Sequence, residues 1–161
     1  MEKGFIHIYC GNGKGKTTAA IGLSIRASGS GMNVLFVQFM KSAETGELNV
    51  LTALPRITVL RGKEKSLAAH NLVFREAVLS CRDGRTDLLV LDEAIGAYNR
   101  ELLDREELLD FLRNKPESVE VVLTGRNPPQ ELLELADYVS EIQKVKHPFD
   151  KGIGARKGIE K

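Results

Sequence analysis

The sequence contains no tryptophan, only two cysteines and almost no excess of charge of either sign. Aromatic residues make up 6% of its 161 residues, and 23 Lys and Arg residues nearly balance 22 Asp and Glu residues, leaving a net charge of +1. A protein that binds nucleic acid mainly through its overall positive charge is therefore disfavoured. We accordingly expect no nucleic-acid partner.

Two further absences concern the cellular compartment. No apolar run is long enough to cross a bilayer, and the segment from Met1 to Tyr9 shows no signal-peptide pattern. Cys10 and Cys81, in a chain without a secretory pattern, are typical of free thiols in a reducing compartment. We therefore expect a cytoplasmic protein with no membrane contact.

The length of the chain and the order of its apolar segments predict one α/β domain, residues 1–161. Continuous apolar runs such as Val34–Val37 are typical of strands that are covered on both faces, as in a parallel sheet. Helical segments alternate with these strands, which predicts a three-layer sandwich with a mostly parallel sheet and ligands beyond the carboxyl ends of the strands. The predicted strands are Phe5–Cys10, Asn33–Phe39, Ile57–Leu60, Asp87–Asp92, Val119–Leu123 and Tyr138–Ile142. The predicted helices are Thr17–Ser28, Ser66–Cys81, one opened by a capping box at Asp104 and one beginning at Asn127.

A loop rich in glycine and lysine lies between the first predicted strand and the first predicted helix. Glycines allow successive backbone N–H groups to surround an anion, and the helix N-terminus adds further donors. We expect Lys16 to neutralise the outer phosphates, the Thr17 hydroxyl to bind Mg²⁺, and Thr18 to donate another hydrogen bond to phosphate. The loop reads Gly11-Asn12-Gly13-Lys14-Gly15-Lys16-Thr17-Thr18.

This pattern predicts a P-loop nucleotide-binding protein with a RecA-like P-loop NTPase fold. A strict G-x-x-x-x-G-K-[ST] motif would have glycine at position 10, where the chain has Cys10, so that the loop glycine stands one place later at Gly11. The alternative is a turn that caps a helix and binds nothing, which the arrangement of strand, loop and helix disfavours.

Carboxylates and an arginine follow two other predicted strands. Asp92 and Glu93 end an apolar run at the ligand-binding edge of the sheet, and either acid could bind the metal ion directly or through water. Arg126 follows the next strand and could hold phosphate oxygens or stabilise a leaving polyphosphate. A solvated arginine beside a turn is the alternative for Arg126.

The chain also resembles the ATP:corrinoid (cob(I)alamin) adenosyltransferases of the P-loop class. The similarity extends from the loop to the C-terminal tail and keeps the order of the family's motifs. The tail discriminates best, because other P-loop ATPases have no reason to carry it. The matching segments are Gly11–Ala20, Val37–Lys41, Leu91–Glu93, Val122–Arg126, Leu135–Asp137, Val145–Gly152 and Gly158-Ile159.

The resemblance implies transfer of the 5′-deoxyadenosyl group of ATP to the cobalt of a reduced corrinoid, with release of triphosphate. The nucleophile would be Co(I), so the protein needs only to orient the ribose C5′, stabilise the leaving triphosphate and exclude water. It also implies Mg²⁺ or Mn²⁺ held by Thr17 and Glu93, an electron-donating reductase and a homodimer. ATP in this family lies reversed in the loop, which would change the phosphate that Lys16 contacts.

Four residues are candidates for substrate contacts: Gln38, Phe39 and Lys41 at the end of the second strand, and His147 in the tail. We expect the tail, about residues 145–161, to form part of the substrate site or to be flexible. Core packing is the alternative for Phe39, and a structural hydrogen bond is the alternative for His147.

The chain departs from the family at two points, and both concern the corrinoid rather than the nucleotide. Residues 60–66 contain no counterpart of the family's aromatic Phe-x-Trp element. The N-terminal extension of some members is also expected to be missing, because the first predicted strand begins at Phe5.

Two other functions stay open at the level of sequence. One is a small P-loop ATPase or kinase that cleaves at the γ-phosphate, and the other is a nucleotide-binding module without turnover. The chemistry of the loop does not separate the three, whereas the reaction products do.

Overall fold

A six-stranded sheet lies between two layers of helices in the computed structural model, which describes residues 2–41, 45–62 and 64–160. Each neighbouring pair in the order β3-β2-β4-β5-β1-β6 is parallel. The predicted three-layer α/β sandwich is therefore confirmed, and its described sheet is wholly rather than mostly parallel. The strands are β1 Ile6–Cys10, β2 Val34–Gln38, β3 Ile57–Arg61, β4 Leu88–Asp92, β5 Glu120–Thr124 and β6 Tyr138–Glu141.

The helices divide between the two faces of the sheet. On one face Ala20 and Leu51 pack with Phe36 and Val90, and on the other face the remaining helices build the larger core. The sheet is thus covered on both sides, which explains why β2 and β4 are buried at every position. The helices are α1 Lys16–Gly29, α2 Gly46–Leu51, α3 Leu67–Arg82, α4 Ala94–Asn99, α5 Arg105–Asn114 and α6 Gln130–Leu135, and a 3₁₀ turn covers Pro148–Lys151.

The predicted capping box at the start of α5 forms only in part. Asp104 accepts a hydrogen bond from Glu107 N at 3.0 Å, as an N-cap should. The reciprocal bond is replaced, because Asp104 N donates to Asn71 Oδ1 at 2.9 Å and the Glu107 carboxylate pairs with Arg75. The start of α5 is therefore tied to α3.

Helix α4 lies directly beneath the ends of β4 and β5. It begins after Glu93, whose φ of 60° places it in the left-handed region. Gly125 approaches it closely with φ +151°, and a Cβ at Gly125 would lie 2.6 Å from Ile95 Cβ. Only glycine allows this approach, so the turn that carries Arg126 rests on α4.

The sheet ends on one side at β6, whose four residues are all exposed. β6 pairs with β1 and leads into the tail. None of the helices in the described ranges has the length and apolar composition needed to cross a membrane.

Candidate nucleotide-binding and active site

The predicted phosphate loop leaves the sheet at the end of β1. The side chain of Cys10 is 6% exposed and still belongs to the strand. Gly11 makes the turn with φ +100°, and a Cβ there would lie 2.4 Å from Ile142 O. The glycine at position 11 is therefore required by the turn and by the neighbouring chain, and Cys10 can fill the preceding strand position.

The loop is bound to the segment that follows β6. Gly13 N donates to Ile142 O at 2.7 Å, and Lys144 N donates to Asn12 Oδ1 at 2.8 Å. From the sequence we expect successive loop amides to surround an anion, and the amide of Gly13 is instead used within the protein. These bonds hold the loop in a defined shape.

Lys16 opens α1 and points into the curve of the loop. Its side chain is 8% exposed, and Nζ donates to Gly13 O at 2.7 Å. Burial lowers the pKa of Lys16, and the positive charge of Arg126 lowers it further, while Glu93, Cys10 and Asp92 act in the opposite direction. Two cations thus converge on the loop, an arrangement suited to a polyphosphate.

Asp92, at the end of β4, is fully buried beside the loop. Its Oδ1 accepts hydrogen bonds from the hydroxyls of Thr17 and Thr124, both at 2.8 Å. Its Oδ2 accepts from Lys41 Nζ at 2.9 Å. Thr124 lies at the end of β5, which is the neighbour of β4 in the sheet, and this brings its hydroxyl to Asp92. The charge of Asp92 is therefore paired and fully hydrogen-bonded.

Glu93 lies beside Asp92, in surroundings that disfavour the negative charge of its carboxylate. Burial raises the pKa of Glu93, and the carboxylate of Asp92 raises it further, against the effects of Lys41, Lys16 and Arg126. Its backbone N donates to Thr124 Oγ1 at 2.9 Å, which fixes the turn. A carboxylate held beside another carboxylate is stabilised when a cation binds between or near them.

The donors at this edge fit a hard divalent cation that shares its ligands with a nucleotide. In the described part of the chain, no three His, Cys, Asp or Glu side chains cluster as a metal site. Mg²⁺ does not require such a cage, because it keeps waters and binds one or two carboxylates together with substrate phosphates. The Thr17 hydroxyl and the Glu93 carboxylate are oxygen ligands of this kind, and the buried Asp92 carboxylate accepts a hydrogen bond from that hydroxyl.

An open cleft of about 880 Å³ lies in front of the loop. Residues of the loop and of the tail both line it, and those of the tail include Phe149, Ile153 and Ile159. These three side chains are 71%, 50% and 55% exposed. The cleft therefore combines the predicted phosphate-binding loop with an apolar wall formed by these three side chains.

Most of the predicted site residues meet in this cleft. Gly11 and Asp92 do not line the cleft, because Gly11 forms the turn after β1 and Asp92 is fully buried at the end of β4. The cleft lining includes Asn12, Gly13, Lys14, Gly15, Lys16, Thr17, Thr18, Lys41, Glu93, Arg126 and His147.

Two predicted substrate residues do not line the cleft. Phe39 is fully buried and packs edge-on against the His70 ring, with centroids 5.6 Å apart. Gln38 is 1% exposed, and its Nε2 donates to Glu47 Oε1 at 3.2 Å. We assign both to packing behind the site. His147 lines the cleft and also accepts from Phe149 N at 3.1 Å, so the structural hydrogen bond considered for it is present.

The sequence analysis gave no individual role to Thr124, Met40 or Glu47. Thr124 belongs to the segment Thr124-Gly125-Arg126, which follows an apolar strand and was expected at the same edge as Asp92 and Glu93. Met40 and Glu47 gave no such signal, because Glu47 lies on the short helix α2 and Met40 adopts a left-handed backbone with φ 60°.

Comparison with known proteins identifies the family. The sequence profile of the ATP:corrinoid adenosyltransferase BtuR/CobO/CobP family matches residues 2–160. The chain belongs to this family. It is 38% identical to a corrinoid adenosyltransferase of Escherichia coli (strain K12) over 169 residues, covering 99% of this chain and 86% of that protein.

Two further relatives agree with this assignment. The corrinoid adenosyltransferase CobA of Salmonella typhimurium (strain LT2) is 38% identical over 99% of this chain and 86% of its own length. A corrinoid adenosyltransferase of Pseudomonas aeruginosa is 33% identical over 99% and 84%. The predicted resemblance is therefore confirmed, and the chain is an ATP-dependent transferase.

This adenosyltransferase differs from the family pattern beside β3. The segment that lacks the aromatic element begins at the end of β3, where Arg61 Nη2 donates to Lys41 O at 3.0 Å. Lys63 of the same segment lies outside the described residues. The hydrogen bond from Arg61 to Lys41 is thus a polar contact in the region where the family resemblance predicts aromatic residues.

Proposed function

We propose that this enzyme transfers the 5′-deoxyadenosyl group of ATP to the Co(I) centre of a reduced corrinoid. A Co–C5′ bond would form while the C5′–O bond of ATP breaks, and the bonding electron pair would leave with triphosphate. The observation that carries the proposal is a cleft that joins a phosphate loop to an apolar wall, in a chain whose family match spans residues 2–160.

The protein's own contribution would be electrostatic and geometric. We assign Lys16 and Arg126 to the leaving triphosphate, since both face the loop and charge develops there during the reaction. Thr17, Glu93 and Asp92 would hold Mg²⁺ or Mn²⁺, which would neutralise further phosphate charge. Because cobalt is the nucleophile, no general base is required.

The function is tested by the products of an anaerobic reaction containing ATP, Mg²⁺ and cob(I)alamin or cobinamide. We expect loss of the Co(I) absorbance, a new Co–C bond and one triphosphate for each corrinoid consumed. Release of ADP and orthophosphate would instead support cleavage at the γ-phosphate. Binding of ATP with neither set of products would leave a nucleotide-binding module.

We also propose that the apolar wall of the tail contacts the organic part of the substrates. Replacing Phe149 by alanine should raise the KM for corrinoid about fivefold, because contact with one aromatic face contributes ~1 kcal/mol. The thermal midpoint should change little, since Phe149 is 71% exposed. Steady-state kinetics and thermal unfolding would measure the two effects.

Val145 provides a matched control for this prediction. It is an apolar tail residue, 88% exposed, that is not part of the cleft surface. Val145→Ala should leave the KM for corrinoid unchanged. An unchanged KM in Phe149→Ala as well would remove the tail from the substrate site.

The remaining features of the proposal follow the family. We propose a cytoplasmic homodimer, supplied with electrons by a reductase, in which residues 1–161 form one nucleotide-binding domain. Sedimentation of the purified protein would test the dimer.

A further inference from the structure

His70 is a buried histidine that the reaction outlined above does not use. It lies in the first turn of α3 and is 1% exposed. Its Nδ1 lies 3.0 Å from Leu102 O, and its Nε2 lies 3.1 Å from Met40 N. A carbonyl can only accept and a backbone N–H can only donate, so Nδ1 carries the proton and Nε2 is the acceptor. The ring is therefore neutral, and burial lowers the pKa of His70 in agreement with this, against a smaller opposing effect of the Leu102 bond.

The partner of Nε2 is an unusual point in the backbone. Met40 has a φ of 60°, a conformation that a residue with a side chain keeps only when its surroundings hold it. His70 binds the N–H of Met40, and Arg61 Nη2 donates to the carbonyl of the next residue, Lys41. Phe39 N donates to Asp92 O at 2.9 Å, so each residue of the segment 39–41 has a backbone group hydrogen-bonded to another part of the protein.

This segment carries the side chain that pairs with Asp92. Lys41 Nζ lies 2.9 Å from Asp92 Oδ2 and 3.5 Å from Glu47 Oε1. With Oδ2 held by Lys41, the other oxygen of Asp92 is directed at Thr17 and Thr124. A continuous set of contacts thus leads from His70 through Met40 and Lys41 to the edge of the site.

We propose that His70 is a positioning residue for the active site, acting through its acceptor bond to the Met40 N–H. It fixes the left-handed turn from which Lys41 reaches Asp92. If His70 only stabilised the fold, losing either of its ring hydrogen bonds should have similar effects. If His70 positions the active site, losing the Nε2 bond should have the larger effect on activity, because the Nδ1 bond leads to Leu102 and away from the site.

Two substitutions distinguish the role of the Nδ1 hydrogen bond from that of the Nε2 hydrogen bond. Asparagine reaches about as far as Nδ1, so His70→Asn keeps a donor for Leu102 O and loses the acceptor for Met40 N. Glutamine reaches about as far as Nε2, so His70→Gln keeps an acceptor for Met40 N and loses the bond to Leu102. Asn71→Ala serves as a control, because it removes another buried hydrogen bond of α3, the one to Asp104 N.

We expect His70→Asn to speed exchange of the Met40 amide hydrogen at least tenfold in the ligand-free protein. It should also lower kcat/KM for adenosyl transfer about tenfold or more, since small displacements at an active site are costly. His70→Gln and Asn71→Ala should stay within about threefold of the parent in both measurements. Thermal unfolding of all variants would report their stabilities.

An unchanged rate of Met40 amide exchange in His70→Asn would overturn the proposal. It would also be overturned if all three variants lost activity equally, in proportion to their loss of stability. The effect on turnover rests on the proposed function, but the exchange measurement does not. If the parent transferred no adenosyl group, the proposed function would fail, and Met40 exchange together with the affinity for Mg·ATP would still decide the role of His70.

Discussion

Replacing Lys16 by alanine should weaken the binding of Mg·ATP by about 10- to 150-fold, because a hydrogen bond to a charged group contributes roughly 1.5–3 kcal/mol. Lys16 is 8% exposed, and its ammonium is directed into the loop, where Gly13 O is its acceptor at 2.7 Å. When a polyphosphate enters, phosphate oxygens are stronger acceptors than this carbonyl. Isothermal titration calorimetry with Mg·ATP measures the effect directly.

Lys146 offers a control for net charge. It is an exposed lysine of the tail that is absent from the cleft surface. Lys146→Ala removes one positive charge near the site and should change the affinity for Mg·ATP less than threefold, because exposed charges are screened. Equal losses in the two variants would mean that the loop attracts nucleotide only through its overall charge, and unaltered binding by Lys16→Ala would contradict the phosphate-binding role of the loop.

Replacing Glu93 by glutamine should stabilise the metal-free protein and impair its response to Mg²⁺. The folded-state pKa of Glu93 is raised by burial and by Asp92, so the folded protein binds more protons than the unfolded chain between the unfolded and folded pKa values. The free energy of unfolding of the parent therefore declines as pH rises through that interval, and the full cost of the Glu93 charge is present above the folded-state pKa. Glutamine removes the charge and should raise the thermal midpoint, by about 2–4 °C for each kcal/mol relieved.

The same substitution removes a proposed metal ligand. The concentration of Mg²⁺ that half-saturates the reaction should increase at least tenfold, because loss of a contact to a charged group costs roughly 1.5–3 kcal/mol. Differential scanning fluorimetry at pH 5 and pH 8, with and without Mg²⁺ and ATP, tests both effects. Glu106→Gln, at an exposed position of α5, should change neither. A Glu93→Gln protein that is less stable at pH 8 and normal in Mg²⁺ dependence would refute the assignment.

The sequence predicted the layers of the fold because its strands are buried. β2 and β4 have no exposed position, so their residues form continuous apolar runs that differ plainly from the helical segments. The predicted start of α1 at Thr17 is one residue later than the observed start at Lys16, a difference within the usual uncertainty of helix ends. The helices α2 and α4 were not predicted, since each has six residues and too few turns to show a period, whereas the equally short α6 was predicted from the prolines that precede it.

The site was predictable where it follows strand ends and not where it depends on tertiary contacts. Gly11–Thr18, Asp92 and Glu93 stand directly after β1 or at the end of β4, and the edge of a parallel sheet brings such positions together. The use of the Gly13 amide by Ile142 could not be predicted, because it depends on the path of the chain after β6. The roles of Glu47 and His70 depend likewise on packing between distant segments.

The bond from Gly13 to Ile142 O has a practical meaning for handling this enzyme. The edge strand β6 and the nucleotide loop are directly connected, since the carbonyl of Ile142, the residue after β6, accepts a hydrogen bond from the loop. Truncations intended to trim the tail should therefore stop well short of residue 144. We expect an affinity tag placed close to that point to disturb the nucleotide loop, although it would be attached beside the exposed edge of the sheet.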